Sequence, residues 1–439
     1  MLSQTHIIRG EGEDILFFPA TFSLYRLPPG LRSPLSVSDL GPGGAALLAA
    51  EAERHERLRP APPLPAAPTS LCLYVAQDCN LACSYCYNDG GRAAGSVQRM
   101  SPAVAEAALR RFFTEPGEHY AVSFYGGEPL LNRAVVERTV AFGERLAAER
   151  GFRIAFHMTT NGTLVDARAL ALLARFATVT VSLDGPPAVH DRHRRSRRGT
   201  GSHRRAVAAL RALRTLKGPR VTVKGTLTVA GAERYGETAA YLNALGADAV
   251  GLTPVFAPPG HPARLSDAAH ERYVADYLAI HCDPERALEA PLQHGEALGL
   301  MGRILRRQRV HRHCHAGRDL AVAADGSLYA CHGLAGVGAF RMGHVEEAAP
   351  SAEFGGVAAR FAVLGVDAAE PCRGCFARYL CGGGCYAHGH FLHGDPAQPD
   401  PRHCDLERRR LEHVLRGLAA ILRDPGRRTR LKSLIAGEG

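Results

Sequence analysis

Three cysteines lie close together at positions 79, 83 and 86, in the segment CNLACSYC. Three thiolates at this spacing on one loop can converge on a single metal centre. A structural zinc site takes four protein ligands, whereas three cysteines on an iron–sulfur cube bind three irons and leave the fourth open. The alternatives are a zinc site completed by a distant histidine, and unrelated buried thiols. The spacing of Cys79, Cys83 and Cys86 favours an iron–sulfur centre with one open iron.

A second, larger set of cysteines lies in the C-terminal third of the chain. Its members are Cys314, Cys331, Cys372, Cys375, Cys381, Cys385 and Cys404. Three consecutive glycines, residues 382–384, let the chain fold tightly around a bulky group. Seven cysteines at these spacings are more than packing requires, although the Cys372-x2-Cys375 pair alone would suit a zinc ribbon. The set predicts further metal centres and favours iron–sulfur clusters.

Three polar segments, GGEP at 126–129, TTNG at 159–162 and SLDG at 182–185, stand at the ends of successive apolar runs. In the first, two glycines let the backbone approach a ligand closely, and Glu128 can accept a hydrogen bond from an ammonium group. The carboxyl ends of parallel strands carry the chemistry in open α/β sheets and barrels. We therefore expect these segments and the first cysteine loop to form one site.

Six apolar runs alternate with helical patterns between residues 70 and 300, and they predict the elements that position this site. The predicted strands are 71–76, 120–125, 154–160, 178–183, 221–227 and 249–255. Helices are predicted at 103–113, where Ser101 and Pro102 supply a cap and a first turn, and at 133–150. Strands that are apolar on both faces and separated by helices predict a parallel sheet of βαβ units. Six such units predict a partial (β/α)6 barrel.

The flanking segments predict a multidomain chain. Residues 1–58 read as a small α+β module with strands at 15–18 and 22–27 and a helix at 45–58. Residues 59–69 contain five prolines and read as a linker. Residues 301–422 form the Cys-rich C-terminal region, irregular from about 311 to 404 and ending in an amphipathic helix at 406–422. Residues 423–439 read as a basic tail.

Composition excludes several classes of protein. The 439 residues carry 53 Lys+Arg and 43 Asp+Glu, a formal net charge of +10. The arginine-rich stretches at 192–205 and near the C-terminus lack the interleaved aromatics of a nucleic-acid groove and read as solvated faces. The N-terminus does not resemble a secretory signal, and no apolar run reaches the ~20 residues of a membrane span. We expect a cytoplasmic protein without nucleic-acid or membrane partners.

The first cysteine loop, with an aromatic residue directly before its third cysteine, resembles that of the radical S-adenosylmethionine enzymes. This resemblance implies a four-iron cluster on Cys79, Cys83 and Cys86, with S-adenosylmethionine bound at its open iron. In the family the GGEP segment holds the amino group of the methionine moiety, the segments at 159–162 and 182–185 face the ribose, and an arginine matching Arg194 pairs with the carboxylate. The implied cofactor-binding residues are Tyr85, Gly126, Gly127, Glu128, Pro129, Asn161, Ser182 and Arg194.

The second cysteine set resembles the SPASM extension, which carries two auxiliary four-iron clusters, so the resemblance implies three clusters in all. It assigns Cys372, Cys375, Cys381 and Cys404 to one auxiliary cluster, and Cys314, Cys331 and Cys385 to the other, with one ligand missing. A nearby histidine (His311, His313 or His315), the distant Cys282 or no protein group fills that position; a vacant site is favoured. Cys72 and Cys282 otherwise read as buried thiols.

The resemblance implies an enzyme that takes an electron from an external donor of the flavodoxin or ferredoxin type. It cleaves S-adenosylmethionine to a 5′-deoxyadenosyl radical and abstracts a hydrogen from a peptide or protein. The leading hypothesis is an intramolecular thioether or carbon–carbon cross-link in a ribosomally made peptide. Residues 1–58 are either a domain that recognises the leader of this peptide or an ordinary N-terminal extension. An anaerobic sulfatase-maturing enzyme, which forms formylglycine, is the alternative; the position of its proposed Asp base is occupied here by His332, which is the candidate catalytic base. An iron–sulfur electron carrier is the remote third reading.

Overall fold

The structure is a computed structural model that describes residues 5–10, 13–28, 30–31, 35–58, 62, 67–94, 98–291, 294–347 and 351–437. The chain forms two compact units. The first unit comprises Met1–Pro63, Glu271–Cys314 and Leu364–Gly439, and the second comprises Leu64–His270 and His315–Val363. These divisions differ from the predicted ones, because the N-terminal module, the last helices and most of the Cys-rich region share the first unit.

Twelve strands form two sheets in the described part of the chain. The strands are β1 (His6–Ile8), β2 (Asp14–Phe18), β3 (Ser23–Leu27), β4 (Ser70–Ala76), β5 (His119–Gly126), β6 (Arg153–Thr160), β7 (Thr178–Ser182), β8 (Arg220–Leu227), β9 (Ala249–Pro254), β10 (Leu320–Val322), β11 (Ser327–Tyr329) and β12 (Arg341–His344). The six predicted strands of the α/β region are β4 to β9, each within two residues of its predicted ends.

Seventeen α-helices lie in the same described residues. They are α1 (Gly44–Glu56), α2 (Pro102–Phe112), α3 (Arg133–Arg150), α4 (Ala167–Leu173), α5 (Pro187–His193), α6 (His203–Leu213), α7 (Val229–Ala232), α8 (Tyr235–Ala244), α9 (Asp267–His281), α10 (Arg286–Glu289), α11 (Gly295–Leu305), α12 (Ala352–Ala362), α13 (Glu370–Arg373), α14 (Arg378–Cys381), α15 (Tyr386–His393), α16 (Pro401–Arg423) and α17 (Pro425–Ala436). The predicted cap of α2 is present, since the Ser101 hydroxyl accepts the Val104 N–H at 3.3 Å. No described helix combines the length and apolarity needed to span a bilayer.

The second unit is built on a nine-stranded sheet of order β12-β11-β10-β4-β5-β6-β7-β8-β9. Strands β10 and β4 to β9 run parallel, while β11 and β12 pair antiparallel at one edge. On β8, Val221 and Val223 are buried, whereas Thr222 and Lys224 are not. The prediction of strands apolar on both faces is therefore wrong for one face. We call the face that carries Cys72, Tyr125, His157 and Lys224 the inner face.

The first unit combines the antiparallel sheet β1-β2-β3 with helices. Helix α16 buries one stripe, Leu411, Val414, Leu415, Leu418 and Ile421, at the spacing expected of an amphipathic helix. Two differences from prediction lie here. The segment expected as a basic tail contains α17, capped by the Asp424 side chain, and the region expected to be irregular contains α13 to α15. Much of the predicted linker, residues 59–61 and 63–66, lies outside the described residues.

Candidate active site

The first cysteine loop follows β4, as the sequence predicts. Cys79 is buried, and Cys83 and Cys86 are partly buried. Backbone N–H groups point at two of the sulfurs: Leu81 N–H lies 3.4 Å from Cys79 Sγ, and Gly90 N–H lies 3.3 Å from Cys86 Sγ. Such donors stabilise a thiolate, the form in which cysteine binds iron. Burial raises the pKa of Cys79 to about 12 in the metal-free chain.

The arginine-rich loop at 192–205 is hydrogen-bonded to the cysteine loop. Ala82 N–H donates to the Arg195 carbonyl oxygen at 2.8 Å, and Ser84 N–H donates to the His193 carbonyl oxygen at 3.2 Å. The His193 ring also hydrogen-bonds the Ser84 hydroxyl at 2.8 Å. This part of the loop therefore positions the cysteine loop. The sequence analysis predicted only a solvated face for this stretch, because the contact joins residues that are more than 100 positions apart in the sequence.

The two glycines of the GGEP segment are required by close backbone contacts. A Cβ on Gly127 would lie 2.2 Å from the Asp78 carbonyl oxygen and 2.4 Å from that of Gly90, both in the cysteine loop. Gly126 has a φ of +127°, and its Cβ would lie 2.1 Å from the Ala76 carbonyl oxygen. The ends of β4 and β5 are thus packed backbone to backbone, and any side chain here would push the cysteine loop away.

Glu128 is fully buried and links the ends of β5 and β6. Its Oε1 accepts from Leu130 N–H at 3.1 Å and the Thr160 hydroxyl at 2.8 Å, and its Oε2 accepts from Asn161 N–H at 2.7 Å. Burial raises its pKa, and these hydrogen bonds oppose the rise. Three of the roughly four acceptor positions of the carboxylate are used, which leaves capacity for one further donor. Pro129 follows it, buried, at the start of a short 3-10 turn.

Asn161 connects the third strand end to the cysteine loop. Its side-chain amide donates to Asn80 Oδ1 at 2.9 Å and lies 3.8 Å from Cys79 Sγ. Its Oδ1 accepts from Thr163 N–H at 2.9 Å. The structure therefore brings Glu128, Asn161 and Cys79 together, as expected from their positions at the carboxyl ends of neighbouring strands.

Asp184 is the centre of a buried network that the sequence prediction did not single out. Its carboxylate accepts from the Tyr85 hydroxyl, from Arg194 Nε at 3.1 Å and from Thr226 N–H at 3.0 Å. Burial alone would lower the pKa of Arg194, but Asp184 and Tyr85 raise it above its ordinary value. The terminal guanidinium nitrogens of Arg194 make no hydrogen bond with any described residue. They are available to a carboxylate ligand, which is the role implied for this arginine.

The inner face below these groups is lined by aromatic and polar side chains. Tyr74 and Tyr125 meet edge to face at 5.5 Å, and the Tyr125 ring lies 5.4 Å from the His332 ring. The Tyr74 hydroxyl donates to the His332 carbonyl oxygen at 2.6 Å. Burial lowers the pKa of His332, as does the charge of Lys224. Ser182, at the end of β7, faces the same side.

Cys331 lies at the end of β11 in the second unit, close to Cys72. Burial first, and then Cys331, raise the pKa of the Cys72 thiol. Cys72 packs with Tyr74 and Tyr125 on the inner face. Cys72 is partly buried there, whereas Cys282, which the sequence also reads as a buried thiol, is fully buried among the helices of the first unit.

The remaining six cysteines of the second set lie in the first unit. Four of them lie close enough together for their charges to interact: Cys372, Cys375, Cys381 and Cys404. Burial is the main cause that raises the pKa of Cys372, Cys381 and Cys404, and other thiolates of this set raise each of the three further. Cys314 and Cys385 both lie near the Tyr386 hydroxyl. The four cysteines predicted to share one cluster are thus neighbours.

The histidines considered as a further cluster ligand are in different surroundings. His311 Nδ1 pairs with Asp367 Oδ2 at 3.2 Å, and its ring packs on Tyr379. The His313 ring lies 6.0 Å from that of His403, and burial lowers its pKa. His315 Nδ1 is 3.8 Å from Asp319 Oδ2. His311 is thus already engaged by a carboxylate.

Comparison with known proteins defines the class. Residues 73–240 match the model of the radical SAM superfamily. This stretch is a radical SAM domain, which confirms the family predicted from the first cysteine loop. Such a domain implies a four-iron cluster and S-adenosylmethionine.

Individual relatives refine the comparison. The serine-type anaerobic sulfatase-maturating enzyme of Klebsiella aerogenes is 26% identical over 330 residues, 72% of this chain and 78% of that protein. The structure of anSMEcpe with bound AdoMet covers 81% of this chain and 98% of its own, with a TM-score of 0.68 at 20% identity. Streptococcus suis SuiB bound to S-adenosylmethionine covers 91% and 98%, with a TM-score of 0.51 at 14% identity. These structures share the fold, which confirms the predicted α/β class with a mainly parallel sheet.

The residues at the strand ends fit the implied cofactor. Two of the three cysteines, Cys79 and Cys86, receive backbone donors at sulfur, Glu128 keeps acceptor capacity, and Arg194 keeps free donors. Among the described residues, no three His, Cys, Asp or Glu side chains are gathered around a single metal ion. A four-iron cluster distributes its cysteines over separate irons, which is a wider arrangement than one ion requires.

Proposed function

We propose that this protein is a radical SAM enzyme that modifies a side chain of a ribosomally made peptide or protein by forming an intramolecular thioether or carbon–carbon cross-link. This proposal rests on one observation: the cysteine loop, Glu128 and the Asp184–Arg194 pair lie at the carboxyl ends of the parallel strands, in a sheet whose inner face is polar. When bound, the cluster and S-adenosylmethionine supply a 5′-deoxyadenosyl radical that takes a hydrogen atom from the substrate.

The protein residues bind and orient in this proposal. Arg194 holds the carboxylate of S-adenosylmethionine, and Asp184 and Tyr85 fix the guanidinium that does so. Glu128 takes the amino group with its remaining acceptor position, and Asn161 and Ser182 face the ribose. The partly buried Tyr125, which packs edge to face on the buried Tyr74, offers the substrate an aromatic surface on the inner face.

The auxiliary clusters are part of the proposal. Cys372, Cys375, Cys381 and Cys404 hold one of them, supported by their proximity in the first unit. Cys314, Cys331 and Cys385 are assigned to the other on the resemblance to the SPASM extension. Three four-iron clusters correspond to about 12 irons per chain.

The N-terminal module supports a docking role for the leader of the substrate. Strand β3 is one of the two edge strands of its sheet. Beside it lies a cavity of about 260 Å³, whose lining includes Leu24, Ile304, Leu305 and Leu422. An extended peptide can add to such an edge through main-chain hydrogen bonds and place apolar side chains in the cavity. We propose that leader binding uses this edge.

Formylglycine formation is the second candidate, favoured by the 26% identity to the Klebsiella aerogenes sulfatase-maturating enzyme. The reaction removes two hydrogens from a serine, as a cross-link removes two from a peptide. The position after Cys331 is His332, where the resemblance expects Asp, and this difference supports the cross-linking proposal.

Aldehyde chemistry separates the two candidates. The fully reconstituted protein is incubated anaerobically with S-adenosylmethionine, dithionite and either a serine-containing sulfatase peptide or a precursor peptide encoded beside the gene. Cross-linking predicts a precursor product lighter by two hydrogens that does not react with a hydrazide. A hydrazide-reactive product from the sulfatase peptide alone would replace the first candidate by the second. The Cys83→Ala variant is the control and forms neither product.

A further inference from the structure

The inner face of the parallel sheet carries positive charge without a balancing acid. Strands β4 to β9 contain no Asp or Glu. His157 and Lys224 lie on the inner face, and Arg153 and Arg220 lie on it at the amino ends of their strands. The nearby carboxylates lie beyond the strand ends: Asp184 accepts from Tyr85, Arg194 and Thr226, and the one acceptor position left on Glu128 is assigned to the cofactor. Any anion that neutralises this face must therefore come from outside the strands.

Lys224 is the inner-face cation nearest the proposed cofactor site. It pairs in register with Ser182 on β7 and Gly251 on β9. Two residues further along β8, Thr226 N–H donates to Asp184, which binds Arg194. Lys224 therefore lies on β8 two residues towards the amino end of the strand from the residue that contacts Asp184.

The side chain of Lys224 has room and no protein partner. It is exposed, and it forms no hydrogen bond or ion pair with any residue that the structure describes. A Cβ on the neighbouring Gly251 would meet no atom within 4 Å, so the space beside Lys224 is open. Lys224 lies close enough to His332 for its charge, after burial, to lower the pKa of that imidazole. A flexible ammonium with three donors in such a position is suited to bind an anionic oxygen.

We propose that Lys224 binds a carboxylate of the peptide substrate and so selects acidic peptides and aligns them below the cofactor site. This inference rests on the proposed function, since it assumes a peptide on the inner face. A carboxylate accepts from an ammonium through charge-assisted hydrogen bonds, and the strands supply no competing acid. The carboxylate belongs to an Asp or Glu side chain or to the peptide C-terminus, and both present the same group.

A peptide-selection experiment tests this assignment. The reconstituted protein, loaded with S-adenosylmethionine but not reduced, is immobilised and exposed to short peptides with a central cysteine and random flanks. One library has amidated C-termini and includes peptides with and without Asp and Glu, whereas the other has no acidic side chains and mixes free with amidated C-termini. We expect about tenfold enrichment of the carboxylate-bearing peptides in the arm that matches the source.

Matched variants locate the effect at Lys224. Lys224→Gln should abolish the enrichment, Lys224→Arg should keep it, and Lys224→Glu should favour Lys- and Arg-containing peptides instead. Lys217→Gln, an exposed lysine before β8, should behave as wild type. Circular dichroism and iron content verify folding of each variant.

The outcomes also separate this inference from the proposed function. Peptides retained by wild type without acidic preference, or a preference that survives in Lys224→Gln, overturn the role of Lys224 alone. Retention of no peptide at all overturns the peptide substrate and this inference with it.

Discussion

The Asp184→Asn substitution tests the network that holds Arg194. Asp184 and Arg194 are 2% and 12% exposed, so their ion pair is largely shielded from water. The carboxylate accepts from three donors, Tyr85, Arg194 and Thr226. An asparagine keeps the shape but loses the charge, and its amide NH₂ turns towards at least one of these donors.

The expected cost follows from these contacts. Removing one member of a buried ion pair costs about 3–5 kcal/mol, and a charged hydrogen bond contributes about 1.5–3 kcal/mol. Because asparagine retains one acceptor oxygen, we expect the free energy of unfolding of the second unit to fall by about 2–4 kcal/mol. Arg194 is then no longer held in one orientation, and the affinity for S-adenosylmethionine should fall by about tenfold.

Anaerobic urea unfolding and equilibrium dialysis with labelled S-adenosylmethionine measure the two effects. Asp166→Asn is the matched control, because Asp166 pairs with Arg133 at 2.7 Å but is 58% exposed. This variant should lose much less stability and bind S-adenosylmethionine as wild type does. If Asp184→Asn and Asp166→Asn are indistinguishable in both assays, the Asp184 network does not position Arg194.

Three further predictions concern the clusters. Gly127→Ala should lower the iron content by about one four-iron cluster, because the added Cβ has no room. Gly299→Ala, on the open surface of α11, is the control and should keep the full iron content. Equal iron in both variants would contradict this prediction. Cys282→Ser should cost about 1–3 kcal/mol of stability by burying a hydroxyl yet leave the iron count unchanged, and lost iron would make Cys282 a ligand. Burial raises the pKa of Cys79 to about 12 and that of Cys404 to about 11, so protons compete with iron for these thiolates. The yield of cluster reconstitution should therefore rise from pH 7 to pH 9, and a yield that does not change with pH would contradict this prediction.

The strands and the first cysteine loop were predictable because their signals are local. β4 to β9 contain five to eight residues each, with buried apolar side chains on one face, and β4 ends at Ala76, three residues before Cys79. In contrast, β1, β10 and β11 contain three residues each, too few for any periodicity to show. Helix α17 was not predicted because most of its residues are polar or charged and no apolar periodicity shows. Its buried contact, Leu431, and its cap, the Asp424 side chain, are recognised only in the structure.

The candidate site was predictable only in part. Cys79 and Glu128 follow strand ends and Arg194 is indicated by the family resemblance, whereas Asp184 is recognised only from its contacts. The same applies to His193, whose ring and carbonyl hold Ser84 from 109 residues away. Such contacts are set by the packing of loops from different strands, and no local pattern records them.

The most direct test of the central claim is release of 5′-deoxyadenosine under reducing, anaerobic conditions. Reconstituted wild-type protein with S-adenosylmethionine and dithionite should release it. Cys83→Ala should release none, and Cys282→Ala, which changes a thiol of the helical core, should match wild type. Equal release by wild type and Cys83→Ala, or none by wild type carrying its full iron content, would contradict the assignment of Cys79, Cys83 and Cys86 to a radical-generating cluster.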